Sequence, residues 1–282
     1  MRNPYRTQKI AFFFLLLSTL LIVVPVGLIV VIIIQKGLPA INWQFLSEVP
    51  QQGMRAGGIF PAIVGTFYLV SGAILFALPI GLLAAVYLTE YAKDNLLTRI
   101  IKLAIVNLAG VPSVVYGLFG FALFVVFFKF GASILSGSLT LGIMILPVII
   151  TTSVEALESV PASFREVSLS LGVSKWQTIR NIVLPNAVPG ILTGTILGLG
   201  RAAGETAPIL FTVAAFYLPQ LPASIFDQAM ALPYHLYVIS TQVPNVDEKV
   251  RYGTAFVLLA LVLSMNLVAI VIRSKFRKKK KW

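Results

Sequence analysis

The chain has 282 residues, of which 58% are hydrophobic and 11% charged, with a mean hydropathy of +0.93; a soluble domain carries about 25% charged residues, so a soluble fold is excluded and an all-α polytopic membrane protein is implied. There is no cysteine and a single histidine, His235, which excludes a disulfide framework, thiol chemistry and any multi-histidine metal site. The net charge of +12 would suit nucleic acid, but its distribution between apolar runs argues for a membrane protein that binds none.

Residues 1–9 are polar and carry Arg2, Arg6 and Lys9; Ile10–Ile34 is a single apolar run. That run exceeds a signal-peptide core of about 7–15 residues, so a retained first transmembrane helix is expected. A polar loop with Pro39, Trp43, Pro50, Gly53, Gly57 and Gly58 follows. The second span is predicted over Pro61–Leu88, kinked at Pro79, with Tyr87 and Tyr91 in an interfacial belt. Glu90–Lys102 reads as a short charged loop and Leu103–Phe128 as a third span broken by Gly110 and Pro112. The fourth is Leu139–Val154, with Pro147 inside it. The fifth is Ala187–Ala214 and the sixth Tyr252–Ile272, giving six. In the long loop between the last two, Ile225–Ser240 could form a short helix, and a basic tail follows from Arg273.

Between the fourth and fifth spans lies Glu155–Pro185, too polar for a bilayer core. Ser163 with Glu166 three residues later reads as a capping box, and Phe164, Val167 and Leu171 recur on one helical face. Gly172 suits a left-handed C-cap; Ser174 with Gln177 repeats the box; Trp176, Ile179 and Val183 form a second face. The stretch is therefore helix, tight turn, helix. Such a pair could simply lie on the membrane surface; alternatively it is a socket for a motor protein.

Arg201 and Glu205 are the only ionisable residues of the fifth span and stand four apart, so on one helix face they can pair. On an ideal helix Gly190, Gly194, Gly198, Arg201, Glu205 and Pro208 fall within about 80° of one another. Leu192, Ile196, Leu199 and Leu210 lie opposite. The glycine spacing lets a neighbouring helix approach closely. Charges facing lipid are costly, so the pair should face a partner helix or an aqueous path. Arg201 would attract a tetrahedral oxyanion with Glu205 holding its guanidinium, or the two form a structural ion pair.

With the N-terminus inside, the segments 1–9, 90–102, 155–185 and 273–282 hold sixteen Lys or Arg, against five outside: Lys36, Arg55, Lys129, Lys249 and Arg251. The positive-inside rule thus places both termini and the helix pair in the cytoplasm, with Lys278–Lys281 on anionic membrane lipid. No inverted repeat and no nucleotide-binding glycine loop occurs, so energy for transport must come from another chain or an ion gradient.

Glu166-Val167-Ser168, Gly172 four residues on, and Ile182-x-Leu184-Pro185 resemble the EAA signature of bacterial ABC-importer permeases, although Val and Ser stand where the signature name implies Ala. Ala85–Tyr91, Ala109–Gly117 and Gly200–Ile209 are similar to permease subunits of the phosphate importer, the PstA type more than the PstC type. The likeness covers roughly residues 57–272, leaving 1–56 as an added front segment and 273–282 as a tail. It implies a type I ABC importer permease fold, five shared core helices plus one in front, in a non-catalytic subunit of the inner membrane. It also implies a PstC-like second permease, two PstB-like ATPases that bind the ATP and Mg this chain does not, and a PstS-like extracytoplasmic phosphate-binding protein. Glu166, Ser168, Gly172, Ile182, Leu184 and Pro185 would then serve ATPase coupling, with Glu166 anchoring the helix pair internally; no catalytic or metal residue is expected. Another oxyanion, a gradient-driven carrier and a lipid-gathering scaffold are the competing readings. A carrier should show repeated halves and ionisable groups in several spans, where this chain has them in one.

Overall fold

The computed structural model describes residues 4–278. Its first helix, α1 (Pro4–Gly37), is apolar on all sides and almost wholly exposed, as a helix facing lipid should be. At its end Gly37 rests on the backbone of Tyr252, where a Cβ would not fit. The following loop is ordered rather than open. Asn42 caps α2 (Trp43–Ser47) by accepting from the Phe45 amide at 2.7 Å. Then β1 (Pro50–Gln51) pairs antiparallel with β2 (Ala56–Gly57), a two-residue departure from the all-α expectation.

The second span, α3 (Phe60–Val86), contains Pro79 and runs on through a π-helical turn, Tyr87–Tyr91. The predicted charged loop over 90–102 is corrected: α4 (Leu96–Ala109) starts within it, capped by Asn95. Beside the cap Arg99 grips Asp94 through two nitrogens and holds its carboxyl below the usual carboxylate range. Gly110-Val111-Pro112 breaks the third span as predicted, and α5 (Ser113–Gly120), continued by a π-helical stretch to Phe127, leaves at 101° to α4.

At the centre stands α6 (Ile134–Glu158), longer than predicted because Ser133 caps it five residues early. It packs along α3 and against α9 (Leu184–Gly204). Between α6 and α9 come α7 (Ala162–Ser170) and α8 (Lys175–Thr178). Ile179–Val183 is π-helical, so Lys175–Gly204 forms one unbroken rod of 30 residues. The predicted fifth span to Ala214 is corrected: the helix stops at Gly204 and resumes as α10 (Ala207–Thr212). Pro208 accounts for the break, since its ring would collide with the carbonyl four residues back, that of Gly204.

The chain after α10 folds back into the bundle. Ala214 pairs with Ala229, and the Leu232 amide donates to the Thr66 hydroxyl of α3 at 2.8 Å. The short helix is α11 (Leu232–Thr241), not Ile225–Ser240, because Pro233 sits in its first turn and the residues before it are tied down as extended chain. The last helix, α12 (Glu248–Lys278), carries the start of the basic tail; Lys279–Trp282 lie outside the described residues. Among the described residues five helices are long and apolar enough to cross a membrane, and α4 with α5, taken as one bent span, makes a sixth.

Candidate functional site

The residues singled out by sequence fall at two places joined by the 30-residue rod. At one end is the helix pair. Gly172 has φ +78° and ends α7 in the left-handed conformation predicted for it. Ser174 and Gln177 form the predicted reciprocal box on α8. The buried Ser168 and Thr178 hydroxyls meet at 2.8 Å and clasp α7 to α8. Ile179 and Val183 are buried with Ala85, Val86, Ala156, Leu157 and Val160 in a core that seats the pair on the ends of α3 and α6.

Two expectations are corrected here. Ser163 does not cap α7; Pro161 holds that position with no side-chain bond, and Ser163 lies inside the helix. Nor does Glu166 anchor the pair: its side chain is exposed and takes no partner among the described residues. The neighbouring Arg165 does the anchoring. Its Nε and Nη2 reach one Glu90 carboxylate oxygen at 3.0 and 2.7 Å, and its nitrogens also donate to the carbonyls of Val160 and Leu157. Glu90 is only 7% exposed. Next to it Lys175 lies 4.8 Å over the ring of Tyr91, which ties the start of α8 to the turn that follows α3.

What the pair leaves uncovered is apolar. Val167, Leu169, Leu171 and Trp176 are each at least half exposed. Phe164 turns inward to the core, so the predicted face divides between inside and outside. Of the remaining predicted coupling residues, Ile182 and Leu184 are half-buried at the π turn and Pro185 is exposed in the first turn of α9.

At the other end of the rod are Arg201 and Glu205. Glu205 is outside the helix, in extended conformation with φ −77° and ψ 139°. The pair is therefore not on one helix face, as expected, but spans the break, with Nε to Oε1 at 3.6 Å. The side chains are 29% and 18% exposed. Tyr116 of α5 lies within electrostatic reach of Arg201 and donates its hydroxyl to the Leu108 carbonyl at 2.8 Å. Gly117 of α5 lies against the Ala207 carbonyl, Pro208 and Phe211, docking α10 on the bent span. Discontinuous spans are one way in which transporters build substrate sites at membrane depth, through the exposed ends of the half-helices. A groove of about 590 Å³ lies elsewhere, between α3, α6 and the 222–225 loop, and contains neither charge.

The family of binding-protein-dependent transport system inner membrane components matches residues 77–282. The chain belongs to that family. Over 258 residues it is 36% identical to a probable ABC transporter permease protein, YqgI, of Bacillus subtilis, covering 86% of this chain and 87% of the relative. It is 38% identical over 219 residues to phosphate transport system permease protein PstA 1 of Mycobacterium tuberculosis, covering 77% and 71%. The fold resembles a chain of a bacterial alginate ABC transporter solved with a periplasmic protein, with a TM-score of 0.65 at 15% identity and 93% of each chain covered. The fold is that of a type I ABC importer permease, and the chain is a non-catalytic permease subunit.

In this inner membrane component the glycine row of α9 faces α6, as the spacing implied. A Cβ on Gly190 would strike Ala156, and one on Gly194 would strike Thr152; one on Gly198 would make ordinary contact with Ile145 and Ile149, so the third glycine is not required for approach. The predicted greasy side is not free: Ile196 is buried and Leu192 and Leu199 half-buried, with α12 packed beside α9. Gly194→Val is expected to wedge α9 off α6 and destabilise the permease by roughly 1–3 kcal/mol. Adding Thr152→Gly, which removes the Thr152 Cβ that a residue-194 Cβ would meet at 2.7 Å together with the hydroxyl, should restore part of the detergent melting temperature; absence of rescue would disprove the contact. Sequence reasoning missed Glu90, Arg165 and Tyr116. An acidic residue just past the apolar end of α3 was the one available signal.

Proposed function

We propose that the chain is a membrane permease subunit of an ATP-driven importer of inorganic phosphate. The observation that carries this is the continuous helix from Lys175 to Gly204, in a family member similar to phosphate transport permeases. One end of this rod belongs to the helix pair with its uncovered apolar face; the other ends beside Arg201 and Glu205. A rigid rod transmits a push that a flexible loop would absorb. Val167, Leu169, Leu171 and Trp176 would seat in a cleft of a PstB-like ATPase, one of two that bind ATP and Mg. A PstC-like permease would complete the path and a PstS-like protein deliver phosphate from outside. Arg201 offers a planar fork of donors suited to a tetrahedral oxyanion, and Glu205 steadies it.

Reconstitution tests this. Proteoliposomes holding the chain with the permease, ATPase and binding-protein partners are expected to accumulate labelled phosphate only with ATP, and unlabelled sulfate should not compete. Uphill uptake by the chain alone, without nucleotide, would refute the motor-driven reading.

In the proposed orientation both termini and the helix pair are cytoplasmic, as the charge asymmetry requires. The chain has no native cysteine, so single cysteines report sidedness directly. Gln220→Cys, at an exposed loop position, should react with an impermeant maleimide in spheroplasts. Ser170→Cys, at the exposed end of α7, should react only in inverted vesicles. The reverse pattern would invert the topology.

A further inference from the structure

We propose that a cleft between α1, α11 and the start of α12 holds a glycerophospholipid, with its phosphodiester on Arg251 and an acyl chain against Ile29, Ile33 and Ala255. The cleft has a volume of about 420 Å³ and is also lined by Leu236, Ser240 and Tyr252. Its lining is apolar at Ile29 and Ile33 of α1, Leu236 of α11 and Ala255 of α12, and polar at Ser240, Glu248 and Arg251. That gradient matches a lipid, apolar in its chains and anionic at its phosphate.

The position suits a headgroup. Arg273 of α12 donates to Thr193, and Asn266 lies beside Gly200, so α12 runs antiparallel to α9. The Glu248 end of α12 is therefore at the membrane boundary opposite α7 and α8. The end of α1 is there too, with Gly37 on Tyr252. Arg251 is incompletely satisfied: one terminal nitrogen donates to the Val246 carbonyl at 3.2 Å, while Nε is buried with no acceptor among the described residues. A guanidinium with one long acceptor bond is under-satisfied, and a phosphodiester oxygen would take charge-assisted bonds from its terminal nitrogens, Nε itself being enclosed. Glu248 also borders the cleft, but Lys36 pairs with it at 3.3 Å and offsets its repulsion. A protein occupant is disfavoured because one wall is a bilayer-spanning helix whose Ile29 is exposed toward lipid. A bound lipid would fasten α1, which is nearly all exposed, to the bundle.

The test is native mass spectrometry of the delipidated full chain in detergent, titrated with phosphatidylglycerol, phosphatidylethanolamine or diacylglycerol. Both phospholipids are expected to bind, and diacylglycerol, lacking the phosphodiester, at least tenfold more weakly. Arg251→Gln should weaken phosphatidylglycerol about tenfold. Ala255→Phe, which fills the apolar floor and keeps the charge, should do the same. Lys275→Gln, a basic residue near the far end of α12, should leave binding unchanged. The proposal is overturned if diacylglycerol binds as well as the phospholipids, or if Arg251→Gln and Ala255→Phe both bind like the parent. It is also overturned if soluble glycerol phosphate displaces the lipid at equal concentration, which would mark a free-phosphate site.

Discussion

Arg201→Gln is expected to reduce phosphate uptake by about tenfold to a hundredfold while leaving the complex assembled. The Arg201 side chain is 29% exposed and lies at a break in a membrane span, where an ionised group calls for a partner. A charge-assisted contact to an anion at such a site is worth roughly 1.5–3 kcal/mol, and every 1.4 kcal/mol is about tenfold; loss of long-range attraction adds to this. Arg201→Lys should retain part of the activity, since the charge survives and the fork does not. Glu205 supplies the decisive comparison. If the pair were only a structural tie, each single neutral variant would leave a stranded charge and the double Arg201→Gln/Glu205→Gln would recover. If Arg201 meets the anion, the double variant stays inactive. Normal transport by Arg201→Gln would reduce the pair to a brace.

The second large effect is expected at Arg165 and Glu90. Replacing either removes one partner of an ion pair in which Glu90 is 7% and Arg165 22% exposed. The remaining charge is left nearly buried, a loss of up to about 3–5 kcal/mol where burial is complete. Arg165 also satisfies the carbonyls of Leu157 and Val160 at the end of α6, so Arg165→Ala should be worse than Glu90→Gln. Physically, α7 loses its fastening to α3 and α6 while Ser168 and Thr178 still clasp it to α8. The helix pair should therefore stay folded, with α7 moving more freely against the ends of α3 and α6. Uptake is expected to fall tenfold or more, with ATP hydrolysis continuing and the chain inserting normally. The doubly neutral Glu90→Gln/Arg165→Gln, which strands no charge and keeps an amide donor for the carbonyls, should recover part of the uptake. Wild-type uptake by both single variants would show that the anchor is dispensable for coupling.

Glu166 and Arg165 show where reading the chain alone succeeds and fails. The turn at Gly172, the box at Ser174 and Gln177, and the small-residue face of α9 were legible because each depends on neighbours within four residues. The spacing of Ser163 and Glu166 allows a capping box to be written, and the resemblance gives Glu166 an inward role, but Pro161 already begins α7 and leaves Ser163 inside the helix. The working anchor joins residues 75 positions apart, and no local spacing records that. The break at Glu205 was readable in principle from Pro208, four residues after Gly204, yet the long apolar run around it argued for a continuous span.

By itself the sequence determined that this is a helical membrane protein with six crossings, a polar helix pair between the fourth and fifth, and one charged span. Those properties follow from hydropathy and from backbone rules that act over a turn or two. Only the tertiary structure decided that α8 and α9 are one rod, that Arg165 and not Glu166 holds the pair, and that Arg201 and Glu205 meet across a broken helix. The reason is the same in each case. Which polar group receives a buried partner depends on what the packed neighbours bring to it, and in this chain those neighbours lie on α3, α5 and α6.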